Sequence, residues 1–212
     1  MKGEIEMLYD YLIKNYKANE PIFVSDIVLP VSDANLRQMF KALCDSGKIK
    51  RFDTGIYYVP KASILKNGVP LAADEVAVAK YIVRKGKVEG FYSGYTFANQ
   101  LGISTQVPYV KEIVSNNAST RVKEVNVRNK RIILRRARTE ITNENYVVLQ
   151  FLELLKDLEQ YYDISFEAVC ERLKKYVRNE NIKKVDVDKY IGSFPDKIYK
   201  NIYRTALYNV FA

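Results

Sequence analysis

The sequence predicts an α+β protein, and two patterns of apolar residues carry this prediction. Towards both ends of the chain, apolar residues recur at spacings of three and four, which is typical of amphipathic helices. In the middle, short segments alternate apolar and charged residues, which is typical of half-buried strands. The chain has 212 residues, of which 48% are hydrophobic, enough for a sizeable core in one or two domains.

Three helices are expected at the N-terminal end. The first covers about residues 3–16, where apolar residues fall on one helical face. Ser25 is a good N-cap for a short second helix, which Pro30 ends because proline restricts the residue before it. Ser32 caps the third helix and Gly47 ends it. The apolar stripe of the third helix consists of Leu36, Met39, Phe40 and Leu43.

A β-hairpin is expected directly after the third helix. Its strands cover residues 49–52 and 56–59, and the segment Asp53-Thr54-Gly55 joins them. The glycine of that segment can adopt the positive φ that a bulged three-residue turn requires. Tyr57 and Tyr58 alternate across the second strand, so one of them should pack on the third helix and the other should face outward.

Three helices followed by a hairpin is the order of a winged helix-turn-helix, expected here over residues 1–60. Such a unit most often places its last helix in a DNA groove and its hairpin on the DNA backbone. Arg, Asn and Gln side chains can pair with base edges, and lysines beside the hairpin turn can meet phosphates. A merely solvated helix face and a protein-docking role are the alternatives. The residues expected to contact DNA are Ser32, Asn35, Arg37, Gln38, Lys41, Lys48, Lys50, Arg51 and Thr54.

A linker is expected over residues 61–71, because this segment contains several turn signals. A mixed C-terminal domain is expected over residues 72–212, with a small basic sheet and several helices. Asp74 caps its first helix, which Gly86 ends, and Ser93 caps a shorter one.

Three strands are expected next, over residues 110–115, 122–127 and 131–136. The last two form a hairpin around residues 128–130, and arginines alternate with apolar residues along its second strand. This pattern indicates a half-buried sheet with one cationic face, which either protects an edge strand or contacts nucleic acid, RNA included. The basic residues of this C-terminal surface are Arg121, Lys123, Arg128, Lys130, Arg131, Arg135, Arg136 and Arg138.

The rest of the chain is expected to be helical, and its last helix follows Pro195 and includes Ile198, Ile202, Leu207 and Val210. Histidine is absent, and Cys44 and Cys170 lie on helix stripes as buried thiols, which argues against zinc sites and against Ser/His or Cys/His catalysis. Asp186 and Asp188 form a close carboxylate pair, but they precede a helix and are interpreted as caps. Phosphate-binding glycine loops and nuclease patterns are also absent. We therefore expect no catalytic residue, no metal, no cofactor and no enzymatic activity.

The net charge of +9 favours an anionic partner such as nucleic acid. Residues 71–140 contain thirteen Lys and Arg against six Asp and Glu, a net charge of +7. Residues 1–70 contain ten against eight, a net charge of only +2. No apolar run approaches the roughly 20 residues that cross a bilayer, and the first residues do not resemble a signal peptide. We therefore expect a cytoplasmic protein with no membrane partner.

The chain resembles the AbiEi family, the antitoxins of bacterial type IV toxin–antitoxin systems. The resemblance rests on residues 32–47, on the segment Gly55-Ile56-Tyr57-Tyr58-Val59-Pro60, and on residues 71–106 leading to the basic strands. It covers most of the chain and is best over residues 1–160. It implies an N-terminal domain that binds inverted repeats in its own promoter and a C-terminal domain that provides antitoxicity.

The resemblance thus implies a transcriptional autorepressor that is also an antitoxin, acting in abortive infection, a form of phage defence. Its partners would be double-stranded DNA, bound cooperatively or as a dimer, and a nucleotidyltransferase toxin with which it forms no stable complex. One alternative is a plain winged-helix regulator whose C-terminal domain dimerises or senses a ligand. Another is an RNA-directed or toxin-binding protein that uses the basic strands. An enzyme would have to use a metal at Asp186 and Asp188.

Overall fold

The computed structural model describes residues 2–62 and 69–211. Helices and small sheets alternate along these residues, which confirms the α+β class. The chain divides into two compact units, Met1–Val76 and Ala77–Ala212, and each contains its own apolar cluster.

The expected linker of residues 61–71 includes residues 63–68, which lie outside the described residues. The division of the chain into domains that end and begin at residues 60 and 72 therefore stays a prediction. The boundary between the two compact units falls within a helix, between Val76 and Ala77.

The first unit is built from two helices and a small sheet. In chain order its elements are α1 (Lys2–Asn15), β1 (Ile22–Phe23), a 3-10 turn (Val24–Asp26), α2 (Asp33–Asp45), β2 (Lys50–Asp53) and β3 (Ile56–Tyr58). The three strands are antiparallel and lie in the order β1-β3-β2. The last strand of the hairpin is therefore the central strand of the sheet.

Helix α2 begins and ends where the sequence predicts. Ser32 is its N-cap, and the Ser32 Oγ accepts a hydrogen bond from the backbone N–H of Asn35 at 3.3 Å. The helix ends at Asp45, shortly before Gly47, whose φ is 73°. The expected apolar stripe is buried and shares one cluster with Leu8 and Leu12 of α1. This packing leaves the opposite face of α2 in solvent.

The prediction of a short helix between Ser25 and Pro30 is wrong. The chain forms only the 3-10 turn Val24–Asp26 there, and Ile27 after it is extended, with φ −87° and ψ 117°. Ile27 and Val28 are β-branched and lose side-chain freedom in a helix, while Pro30 disfavours helical geometry in the residue before it. The segment therefore serves as a connection between β1 and α2.

Neither tyrosine of the hairpin after α2 is fully exposed, since Tyr57 is half-buried and Tyr58 is buried. The ring of Tyr57 packs on Phe40 of α2, with ring centroids 4.6 Å apart. Tyr58 is only 6% exposed, so the expectation that one of these tyrosines faces outward is wrong. Strand β3 is the central strand of this sheet, and Ile56 and Tyr58 alternate along it with the half-buried Tyr57. Gly55 in the turn has φ 71°, as expected.

From residue 73 onward the chain forms six helices and six strands. They are α3 (Ala73–Tyr81), β4 (Val83–Arg84), β5 (Lys87–Val88), β6 (Gly90–Ser93), α4 (Gly94–Gln100), β7 (Lys111–Ser115), β8 (Val122–Val127), β9 (Lys130–Arg136), α5 (Tyr146–Lys156), α6 (Phe166–Asn179), α7 (Lys184–Ile191) and α8 (Lys197–Arg204). The 3-10 turns Leu158–Gln160 and Leu207–Asn209 follow α5 and α8.

The main sheet of the second unit has four strands in the order β6-β7-β9-β8. Strands β7 and β9 are parallel, whereas the other neighbours are antiparallel. Strand β8 is therefore an edge strand, although it lies between β7 and β9 in sequence. The apolar cluster of this unit surrounds α5, whose Phe151, Leu152, Leu154 and Leu155 are fully buried.

Asp186 and Asp188 do not cap a helix, so that expectation is wrong. Both lie within α7, whose N-cap position is Lys183. Asp188 pairs with Lys184 one turn earlier in the same helix. The half-buried Asp186 and the exposed Asp188 are therefore ordinary helix charges.

Four other boundaries in this unit differ from expectation. Asp74 does not cap α3, because the helix begins at Ala73 and Asp74 lies in its first turn. Helix α3 ends at Tyr81, and Gly86 lies in the turn of a small hairpin formed by β4 and β5. The hairpin of β8 and β9 has only Arg128 and Asn129 in its turn, because Val127 pairs with Lys130. The last helix stops at Arg204, since Ala206 adopts a left-handed conformation with φ 53°.

Within the described part of the chain, no helix is long and apolar enough to cross a bilayer. The same residues contain no group of three Cys, Asp or Glu that could hold a metal ion. Cys44 and Cys170 are half-buried free thiols, and burial raises the pKa of both.

Candidate nucleic-acid interface

The exposed face of α2 presents three polar side chains next to one another. Arg37, Gln38 and Lys41 lie opposite the buried stripe, at spacings that place them on adjacent helical turns. Among the described residues, no hydrogen bond or ion pair engages their side chains. Asp33 and Asp45 lie near the two ends of the helix, so the cations occupy its middle.

Two residues expected to contact DNA have structural contacts instead. Ser32 caps α2 as described above. The side-chain amide of Asn35 donates from Nδ2 to Oε1 of Glu4 at 3.2 Å, in a half-buried contact that ties α2 to α1. Both residues lie at the start of α2, and their side chains help to hold the helix in place.

Lys50 and Arg51 lie on opposite faces of the hairpin, because successive side chains alternate along a strand. Arg51 pairs in register with Tyr57, the tyrosine that packs on α2. Lys50 pairs instead with the buried Tyr58. The sequence placed both cations on one DNA-facing surface, but only Arg51 lies on the side of α2.

The hairpin tip is held by its own side chains. Arg51 donates from Nε to the carbonyl of Asp53 at 3.3 Å and from Nη2 to Oγ1 of Thr54 at 3.0 Å. The backbone N–H of Thr54 donates to Oδ1 of Asp53 at 2.7 Å. Lys48 lies elsewhere, with its ammonium 4.6 Å from the ring centroid of Tyr9 on α1. Arg51 and Thr54 therefore form an ordered polar tip.

A groove of about 720 Å³ lies between α2 and the hairpin tip. Arg37 from the helix and Arg51 and Thr54 from the hairpin all line it. Phe40 contributes an apolar part of the wall, and Asp33 contributes one carboxylate. The structure thus brings together one arginine from each of the two elements that the sequence singled out.

The eight basic residues expected on the C-terminal surface divide into two groups. Four of them line a cavity of about 310 Å³ beside α5, namely Arg121, Arg135, Arg136 and Arg138. The other four lie along β8, in its turn and in the first half of β9, namely Lys123, Arg128, Lys130 and Arg131.

Within the described residues, carboxylate partners are seen for Arg131, Arg135 and Arg138. The pairs are Arg131 with Glu124, Arg135 with Glu112, and Arg138 with Glu153. The hydrogen bonds from Arg131 hold the pKa of the Glu124 carboxyl below its usual range. A charge count along β8 and β9 does not include Glu112 and Glu153 as partners of these arginines, because the two glutamates belong to β7 and α5. The signal available for Glu153 was a lone carboxylate within the apolar run Leu149–Leu155.

Comparison with known proteins gives a family but no activity. No protein with a curated description matches the chain. The resemblance to the AbiEi antitoxins therefore stays a prediction. A family of unknown function, DUF6088, has a model that matches residues 9–185, which is well over half of the chain. The chain therefore belongs to the DUF6088 family.

Proposed function

We propose that the chain is a DNA-binding transcriptional regulator whose first unit is a winged helix-turn-helix, with the 3-10 turn Val24–Asp26 in the place of its second helix. The observation that carries this proposal is the exposed middle of α2, where Arg37, Gln38 and Lys41 have no partner among the described residues. These are side-chain types that bind base edges and phosphates. A helix rigidly packed on one face and polar on the other suits the major groove, which is about 12 Å wide.

The helix residues take different roles in this proposal. Arg37 can make a bidentate contact with guanine and Gln38 with adenine, because their donors and acceptors match those base edges. Lys41, one turn after Arg37, carries a compact charge suited to a phosphate. Asn35 positions the helix through Glu4 and does not read a base.

The hairpin supplies contacts to the DNA backbone. Arg51 and Thr54 line the same groove as Arg37, so they can meet the phosphates beside a helix that occupies the major groove. Lys50 faces the other side of the hairpin, and Lys48 lies over Tyr9. Among the basic residues of this hairpin we therefore assign the backbone contact to Arg51.

The proposal includes a biological role that rests on the resemblance to the AbiEi family. In this role the protein occupies inverted repeats in its own promoter and represses transcription in the cytoplasm. It also opposes a nucleotidyltransferase toxin, with which it forms no stable complex. The second unit would provide this antitoxicity. Repression in this role proceeds by occupation of the promoter and requires no covalent chemistry.

A promoter fusion and a toxin-rescue assay test this role together. A reporter placed behind the DNA upstream of the gene should be repressed by the intact chain and released by Arg37→Ala. Expression of the chain should also rescue cells from a nucleotidyltransferase encoded beside it. Repression without rescue would leave only the plain regulator, and a reporter indifferent to the chain would contradict the DNA-binding proposal.

The cavity in the second unit favours one alternative, a regulator that senses a ligand. Its volume of about 310 Å³ is sufficient for a small molecule. This alternative keeps the DNA contact of the first unit but replaces antitoxicity with a response to the ligand. It predicts that repression changes when the ligand is added and that no toxin is neutralised.

A further inference from the structure

The second unit contains a cationic cavity that the proposed DNA contact does not use. The cavity has a volume of about 310 Å³ and lies where the start of β8 and the end of β9 adjoin α5. All of its lining residues belong to Ala77–Ala212. The charged ones are Arg121, Arg135, Arg136, Arg138, Lys156 and Glu153.

The charge of the cavity wall is strongly unbalanced. Five cations and one carboxylate line it, a formal charge of +4. Two carboxylates outside the lining also hold wall cations, Glu112 beside Arg135 and Asp157 beside Lys156, and counting both still leaves a formal charge of +2. Like charges gathered in a concave, partly desolvated site repel one another and attract a counter-ion. A bound anion would therefore relieve this repulsion.

Carboxylates orient three of the five cations. The Nε and Nη2 atoms of Arg135 lie 3.2 and 3.1 Å from Oε2 of Glu112. Lys156 Nζ lies 2.6 Å from Oε1 of Glu153, and Arg138 Nε lies 3.7 Å from its Oε2. The Glu153 side chain is only 10% exposed, so it forms an internal anchor for its two partners. The wall is thus ordered before any ligand arrives.

Arg121 and Arg136 have no carboxylate partner among the described residues. The two residues are neighbours through a backbone hydrogen bond, in which the N–H of Arg136 donates to the carbonyl of Arg121 at 3.1 Å. Two exposed arginine side chains therefore arise from neighbouring positions on the cavity wall, and the N–H donors of their guanidinium groups are available to a ligand. Guanidinium forks match the geometry of phosphate oxygens and bind them in a bidentate manner.

We propose that this cavity binds the phosphate groups of a free nucleotide, with Arg121 and Arg136 as the principal contacts. The volume lies at the lower end of the range of about 300–1,000 Å³ found for small-molecule sites, which suits a ligand of this size. A nucleic-acid strand would instead require a groove that follows its backbone. The proposal is independent of the DNA contact of the first unit, because the two sets of residues do not overlap.

Isothermal titration calorimetry of the full chain with pyrophosphate, ATP and GTP at constant ionic strength tests this proposal. We expect saturable binding, and we expect Arg121→Ala and Arg136→Ala each to weaken it about tenfold or more, since each removes a charge-assisted contact. Arg136→Lys should recover only part of the loss, because lysine keeps the charge but not the fork. Arg178→Ala is the matched control, since it removes an exposed arginine of α6 that does not line the cavity.

Three outcomes would overturn the proposal. One is the absence of binding to all three phosphates at millimolar concentration. Another is an equal loss of affinity in Arg136→Ala and Arg178→Ala, which would indicate only diffuse charge. The third is binding of single-stranded or duplex oligonucleotides at this cavity with no competition from free nucleotides. Circular dichroism melting of each variant shows that it is folded, and promoter binding by Arg37→Ala reports separately on the first unit.

Discussion

Arg135 of β9 donates two hydrogen bonds, from Nε and Nη2, to Oε2 of Glu112 on the neighbouring strand β7, at 3.2 and 3.1 Å. The Glu112 side chain is only 14% exposed, so this pair is shielded from solvent on one side. The space for the carboxylate exists because residue 94 is glycine. A Cβ built on Gly94 would overlap the Glu112 carboxylate, and the φ of Gly94 is 55°.

We expect Gly94→Ala to lower the free energy of unfolding by about 1–3 kcal/mol, because the side chain adds both a steric overlap and a strained φ. Urea denaturation followed by circular dichroism measures the change. Gly192→Ala is the control, since nothing lies within 4 Å of its Cβ and its φ of −61° suits alanine. Equal stability of the two variants would show that Glu112 is not held as described.

The second prediction concerns Glu153, which is bonded to Lys156 at 2.6 Å and lies near Arg138. Glu153→Gln should lower the free energy of unfolding by about 1–3 kcal/mol, because it leaves the ammonium of Lys156, only 13% exposed, without its closest partner. Glu159→Gln should cost less than about 1 kcal/mol, since Glu159 and its partner Arg204 are well exposed. Thermal unfolding of both variants and the parent measures the two losses of stability. A loss for Glu153→Gln no larger than that for Glu159→Gln would contradict the prediction.

The third prediction is a pH dependence that comes from Asp163. Hydrogen bonds from the backbone N–H of Thr105, and then from the hydroxyls of Ser104 and Thr105, hold the pKa of the Asp163 carboxyl below its ordinary value. Because the folded-state pKa is depressed, this carboxylate stabilises the fold above its unfolded-state pKa. The contribution is lost as the pH falls through the folded-state pKa.

Asp163→Asn should therefore be less stable than the parent at neutral pH, and the difference should shrink in acid. Chemical denaturation at a series of pH values from neutral to about 3 measures this convergence. A stability difference that stays constant over that range would show that the charge of Asp163 contributes nothing.

The fourth prediction separates holding the helix from reading DNA. Asn35→Ala should lower the free energy of unfolding by about 0.5–1.5 kcal/mol, because it removes the hydrogen bond to Glu4. Arg37→Ala should change it by no more than about 0.5 kcal/mol, since the Arg37 side chain is exposed and without a partner among the described residues. Urea denaturation of the two variants gives both values, and a destabilised Arg37→Ala would mean that Arg37 supports the fold.

The elements that sequence reasoning predicts well are those set by neighbouring residues. The bounds of α2 follow from the Ser32 cap, the apolar stripe and Gly47, all within one short segment. The hairpin of β8 and β9 is equally local, and only the length of its turn differs. The segment between Ser25 and Pro30 shows the limit of this approach, since a cap signal does not outweigh β-branched residues followed by proline.

The site in the second unit depends on contacts between distant segments and could not be predicted in this way. Arg135 meets Glu112 only because β7 pairs with β9 in parallel while β8 takes the edge position. Glu153 reaches Arg138 only because α5 packs beside the end of β9. In the first unit, the sequence prediction placed Lys50 and Arg51 on one surface, and the pairing of Arg51 with Tyr57, which packs on Phe40, was needed to show that only Arg51 lies on the side of α2.

The central claim is that α2 reads DNA, and fluorescence anisotropy with the chain's own promoter DNA tests it most directly. Arg37→Ala should weaken binding by about 1–3 kcal/mol and relax base preference at one position. Arg51→Ala should weaken binding to all sequences alike and reduce the salt slope by about one unit. Lys14→Ala, which removes an exposed cation of α1, is the control and should leave binding unchanged. If Arg37→Ala binds the promoter as the parent does, the account is contradicted.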